Sequence, residues 1–94
     1  MQTKGNILIV NLDEDQVDQY TPFETALYNF GTFVPSEIVK YRNGVYFIPD
    51  TVKHDIVHIV LLAQDFFKGK KLPLLIHSFR VTDKNDFSEA LRFF

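Results

Sequence analysis

The chain contains no cysteine and no tryptophan, and only four glycines and four prolines among its 94 residues. Without cysteine it has neither a disulfide framework nor a thiolate metal site, and no disulfide-linked partner is expected. Its amino terminus lacks the basic stretch, apolar run and small-residue cleavage site of a secretory signal, so a reducing, cytoplasmic location is the expectation. The longest unbroken apolar run, Ile59 to Ala63, is far short of the ~20 residues that cross a bilayer, and no membrane span is expected. Positive charge is also scarce. Ten Lys and Arg stand against twelve Asp and Glu, for a net charge of -2, which argues against strong nonspecific nucleic-acid binding, since such binding rests on many cationic contacts to phosphate. The one dense basic cluster, Lys68, Lys70 and Lys71, reads as solvated residues at a helix end.

What is present is core material. Hydrophobic residues make up 46% of the chain, with ten Phe and four Tyr, a composition that argues against disorder. The length corresponds to a single domain, residues 1–94, whose burial only modestly exceeds its conformational entropy cost, so that dimerisation would help it.

The pattern resolves into alternating strands and helices. Ile7-Leu8-Ile9-Val10, apolar without alternation, predicts a first strand covered on both faces or central in its sheet. Thr21-Pro22-Phe23-Glu24 combines an N-cap threonine, a proline at the first helical position and a glutamate able to close a capping box. Phe23, Ala26, Leu27 and Phe30 then form an apolar stripe ending at Gly31. Asn43-Gly44, between arms at 33–42 and 45–48, predicts a hairpin with a type I′ turn. Val52, Ile56, Ile59, Val60, Ala63 and Phe67 predict a second helix over about 52–68. Leu72 to Val81 reads as a buried fourth strand with Pro73 at its start. Phe87, Ala90, Leu91 and Phe94 mark a terminal helix capped by Asp83 or Asn85.

This order, βαββαβ plus a terminal helix, predicts an α+β, ferredoxin-like sandwich with an antiparallel sheet and two helices on one face. The fold hosts many functions, so function has to come from sites.

Ile76-x-x-Phe79-Arg80-Val81, followed by Asp86-Phe87 and Leu91-Arg92, resembles the carboxyl-terminal strand and helix of the virulence-associated protein D family of small bacterial ribonuclease toxins. Val45-Tyr46 and Phe30-Gly31 extend the resemblance upstream. That family is related in fold to the small nuclease-like subunit of CRISPR adaptation, and the resemblance implies a homodimer formed through sheet edges, an RNA substrate and a toxin–antitoxin or defence setting. It also implies a metal-dependent endoribonuclease using Mg²⁺ or Mn²⁺, with the catalytic aspartate at the end of the first strand. The matching position here is Asn11, whose neutral amide is a poor ligand for a hard cation. Asp13 and Asp15, in the loop that follows, are the candidate replacement metal ligands, with Asp13 also a candidate catalytic residue.

A weaker resemblance links Ile7 to Leu12, the Phe23 to Gly31 helix and Gly44 with Phe47-Ile48 to RNA-recognition motifs. Those domains stack bases on sheet aromatics, and the corresponding positions here are Leu8, Val45 and Asp50.

Other chemistry is sparse. His54 and His58 lie one helical turn apart, as in zinc-protease helices, but with Asp55 where that motif needs Glu and with no third ligand. They read as solvated or interface residues. His77, on the fourth strand, reads as structural or partner-facing. There is no nucleophile–histidine pattern and no phosphate-binding glycine loop. Val57, Leu61, Leu62 and Phe66 lie outside the main stripe of the second helix and are the candidate interface. Two readings follow: a homodimeric ribonuclease-fold enzyme, or a non-catalytic interaction, regulatory or inhibitory module on the same fold.

Overall fold

A computed structural model describes residues 4–30, 38–51 and 55–82. Four strands, β1 (Gly5–Asn11), β2 (Val39–Arg42), β3 (Val45–Pro49) and β4 (Leu75–Val81), form one antiparallel sheet in the order β2-β3-β1-β4. Helix α1 (Tyr20–Tyr28) joins β1 to the β2–β3 hairpin, and α2 (Ile56–Phe66) joins β3 to β4. This is the ferredoxin-like arrangement that the order of elements predicts. The predicted terminal helix, the Gly31 stop of α1, the early part of the first hairpin arm and the first turn of the second predicted helix lie outside the described residues.

The position of β1 follows from its composition. Ile7, Leu8, Ile9 and Val10 are all buried, because β1 is hydrogen-bonded on both sides, pairing Ile7 with Phe47 of β3 and with Phe79 of β4. Its alternate residues serve different faces. Leu8 and Val10 face the helices, where they join Tyr20, Phe23 and Leu27 of α1, Tyr46 and Ile48 of β3, and Ile59, Ala63 and Phe67 from α2 and its end. Phe23 lies at the centre, with ring centroids 5.7 Å from Phe66, 5.9 Å from Phe67 and 6.1 Å from Tyr46. Ile7, Ile9, Val45, Phe47 and Val81 make a second buried cluster on the other face, flanked by Val39, Tyr41 and Phe79.

Three local expectations are corrected. Thr21 is not the cap of α1. A 3-10 helix over Glu14–Gln19 runs directly into α1, and the capping box sits ahead of it, where Asp13 and Gln16 cap one another. Glu24 is thereby free to accept hydrogen bonds from Tyr46 Oη at 2.6 Å and Lys40 Nζ at 2.9 Å. Burial and this carboxylate together push the Tyr46 hydroxyl well above the usual phenol range, so it stays a donor.

The hairpin turn is not type I′ either. Gly44 alone has a positive φ, +84°, whereas type I′ requires positive φ at Asn43 as well. A bulge between Lys40 and Arg42 in β2 accommodates the hairpin register instead. A Cβ at Gly44 would run into the Val10 carbonyl oxygen and come within 2.9 Å of the Tyr20 ring, so glycine is required here for both its torsion and its size.

The third correction concerns β4, which is not a buried strand. It lies at the sheet edge with β1 as its one neighbour among the described residues, and only Val81 of its seven residues is buried. No described helix is long and apolar enough to cross a membrane.

Candidate functional site

The carboxyl end of β1 brings Asn11, Asp13, Asp15 and Lys71 together. Asn11 ends the strand in an exposed position, and its carbonyl accepts the Leu74 N–H at 2.8 Å. The chain then turns through Leu12, whose N–H donates to the Tyr20 hydroxyl at 3.1 Å, and enters the 3-10 helix at Asp13. The Asp13 carboxylate accepts the Glu14 N–H at 2.8 Å, and Gln16 Oε1 accepts the Asp13 N–H at 3.1 Å. A short polar segment thus satisfies its own turn before α1 begins.

Lys71 closes this loop from across the chain. Its Nζ lies 2.8 Å from Asp13 Oδ2 and 2.8 Å from Asp15 Oδ2. Its backbone carbonyl accepts a hydrogen bond from the side chain of Gln16, the one buried polar residue in this region. Lys71, exposed as its surroundings in sequence suggested, also belongs to an ion-pair clasp between the β1–α1 and α2–β4 loops. The pairing holds the Asp13 carboxyl below its ordinary range, chiefly through the Lys71 hydrogen bond and then that of the Glu14 N–H, and holds the Lys71 ammonium above its own.

The sign of the linkage follows. A carboxyl whose folded pKa is depressed contributes stability above its unfolded value, near pH 4, and loses it as pH falls through the folded value. The raised Lys71 pKa reflects the same contact and is not counted twice. Asp13→Asn keeps the cap but removes the charge. The variant is expected to have a lower urea midpoint than the parent at pH 7 and a difference that closes below about pH 4. An equal difference at pH 7 and pH 3 would show that the carboxylate charge plays no part. Because the groups are exposed, the effect at neutral pH should be small and weakened by salt.

The two candidate metal ligands do converge, but on a lysine. The cation that Asp13 and Asp15 share is the Lys71 ammonium, and the neighbouring Asn11 is neutral, so only two carboxylates, both already paired with a lysine, are at hand, a poor set for a resident divalent ion. Among the described residues, no group of three or more His, Asp or Glu is placed to hold a metal. Asp50, a base-stacking position in the weaker resemblance, pairs through both oxygens with the Arg80 guanidinium, Nη2 lying 2.6 Å from Oδ2, which holds the Asp50 carboxyl low. Leu8 is buried beneath the helices and Val45 within the opposite cluster, so neither offers a face to a base. His58 is exposed on α2, and its sequence neighbour His54 lies outside the described residues. His77 is exposed on β4, with its ring 6.1 Å from that of Phe79.

The predicted interface residues divide. Val57 and Leu61 are exposed, whereas Leu62 and Phe66 pack against the core. Phe66 meets Phe67 edge-on at 4.9 Å, and Lys70 Nζ sits 4.0 Å above its ring. Exposed apolar surface also appears where a buried strand was expected: Leu72, Leu74 and Leu75 are 67%, 63% and 47% exposed. They border a shallow groove of about 470 Å³ with Gln64 of α2. Gln64 follows Val57 and Leu61 at helical spacing along one side of α2, so the exposed apolar residues of the helix lie on the side that borders the groove. Pro73 beside these leucines was the available sequence signal, because proline is confined to edges and strand starts.

These features define a small α+β protein of ferredoxin-like architecture with a lysine-clasped acidic loop and an apolar edge. Compared with known families, curated proteins and solved structures, the chain matches no family model, no curated protein and no solved structure.

Proposed function

We propose that this protein is a non-catalytic interaction module that pairs with a second copy of itself through the outer edge of β4 and the adjoining apolar flank. The observation that carries this reading is the exposure of Leu72, Leu74 and Leu75 at the start of an edge strand. An edge strand presents unpaired backbone groups to another chain. Antiparallel pairing of two such strands is self-complementary about a two-fold axis, so one surface serves both partners. Val57 and Leu61 would add apolar area to each side of that contact, where the central region of an interface gains most from excluding water. Light scattering across a concentration series tests the reading: a dimer is expected, and a monomer throughout the series would refute it. In the cytoplasmic, toxin–antitoxin or defence setting implied by the virulence-associated protein D resemblance, such a dimer would serve as a regulatory or inhibitory partner.

The same resemblance supports a second reading, a metal-dependent endoribonuclease acting on RNA. The observation in its favour is that Asp13 and Asp15 stand side by side just beyond β1, where a divalent ion would have to displace Lys71 from both. RNA cleavage with and without Mg²⁺ or Mn²⁺ separates the two readings. The interaction reading expects no cleavage by the parent protein, and gain of metal-dependent cleavage by Asn11→Asp would identify a disabled nuclease scaffold. Metal-dependent cleavage by the parent protein that is lost in Asp13→Ala would instead establish the ribonuclease.

A further inference from the structure

Ile7, Ile9, Val45, Phe47 and Val81 form the buried cluster on the sheet face away from α1 and α2. Ile7 has no exposed surface and Phe47 only 1%. Neighbouring strands shield such side chains from the sides but leave them open above the sheet. Both described α-helices pack on the other face, against Leu8 and Val10, so the burial of this face requires a further cover.

Burial along β4 shows where that cover lies. On the outer face it rises from exposed Leu75 and His77, through half-buried Phe79, to buried Val81. On the helix face the order reverses, from half-buried Ile76 and Ser78 to exposed Arg80. The two sets alternate along the strand and so belong to opposite faces. Outer-face cover therefore increases towards the point where the chain leaves β4. At the flank of the same cluster, burial pushes the Tyr41 phenol above its ordinary range.

The sequence that follows β4 has the pattern to supply the cover. Phe87, Ala90, Leu91 and Phe94 recur at i, i+3, i+4 and i+7, with Asp86, Ser88, Glu89 and Arg92 off that stripe. As a helix, residues 83–94 would reach about 18 Å at ~1.5 Å per residue, and four strands ~4.8 Å apart span about 14 Å. Residues 1–3 and 52–54 are too few to cover five side chains, and 31–37 offer only Phe33, Val34 and Pro35.

We infer that residues 83–94 form an amphipathic helix docked across the outer face of the sheet, its stripe of Phe87, Ala90, Leu91 and Phe94 resting on Ile7, Ile9, Val45, Phe47 and Val81. The sheet then lies between two helical layers, and its outer face is closed to stacked bases and to face-to-face pairing. Self-association is left to the β4 edge, where Leu72, Leu74 and Leu75 are exposed at the uncovered end. The inference does not rest on self-association, because the burial is that of a single chain.

Nuclear Overhauser spectra of the full chain test it. Cross-peaks are expected from Phe87, Leu91 or Phe94 side-chain protons to the methyl groups of Ile7, Ile9 and Val45, and none to Ile59 on the helix side. In a mixture of isotope-labelled and unlabelled protein they should arise within one chain. Leu91→Asp should uncover the face and bind an apolar-surface dye such as ANS at least about twofold more than the parent. Glu89→Lys, off the stripe, should leave dye binding unchanged. Circular dichroism confirms that each variant is folded, and the parent's cross-peaks decide the matter if Leu91→Asp fails to fold. Absence of the cross-peaks, cross-peaks arising only between chains, or unchanged dye binding by a folded Leu91→Asp would overturn the inference.

Discussion

Replacing Phe23 with alanine is expected to lower the free energy of unfolding by about 3–5 kcal/mol, the usual range for truncating a fully buried phenylalanine. Phe23 has no exposed surface, and its ring lies against Tyr46 of the sheet and against Phe66 and Phe67 at the end of α2. It therefore joins all three components of the helix-side core, and its removal leaves a cavity that none of the three can close alone. Small domains have only about 5–15 kcal/mol of total stability, so a chain of this length would lose much of its margin. Urea denaturation should show a lower midpoint at unchanged slope. A loss under about 1 kcal/mol would mean that the aromatic cluster closes over the vacancy.

The double substitution Leu72→Asp, Leu74→Asp is expected to weaken self-association by on the order of 100-fold or more. This follows if each leucine contributes at least about 1.4 kcal/mol as an interface contact. Both side chains are exposed within a single chain, so the charges cost little in the isolated fold and act against the paired state. Light scattering should find the variant monomeric at concentrations where the parent is a dimer. Urea unfolding adds a check, because the parent's midpoint should rise with protein concentration while the variant's should not. A variant that associates as tightly as the parent would remove the β4 edge as the contact, whatever the oligomeric state.

The contrast between these residues bears on what was legible in the sequence. Phe23 could be placed in the core from spacing alone, since Phe23 and Leu27 repeat at helical period and both are buried. Ile59, Ala63 and Phe67 were equally readable on the second helix. Leu72, Leu74 and Leu75 look just as apolar in the sequence and were assigned to a buried strand, yet they are exposed. Hydrophobicity reports a preference for burial, whereas the number of neighbours a strand receives depends on its place in the sheet, which local pattern does not encode.

The candidate site divides along the same line. Asn11, Asp13 and Asp15 were identifiable because they follow one strand within a few residues. Lys71 was not, because it reaches Asp13 and Asp15 from 58 and 56 residues away. Similarly, Asp50 meets Arg80 across 30 residues and Tyr46 meets Glu24 across 22. Arg42 and Asn43 were visible only as part of a turn, and the approach of β1 and β4 makes them one wall of a pocket.

By itself, the sequence determined the succession of the four described strands and two α-helices, the buried character of Ile7 to Val10, the apolar residues that α1 and α2 turn to the core and the place of glycine after Asn43. These depend on backbone preference and side-chain period over a few residues. Only the tertiary structure decided that β4 is an edge, that a distant lysine pairs with two carboxylates of the acidic loop, and that Asn11 and Arg42 border one pocket. Each of these depends on which distant segments lie side by side, and that is set by sheet order and by packing across the core.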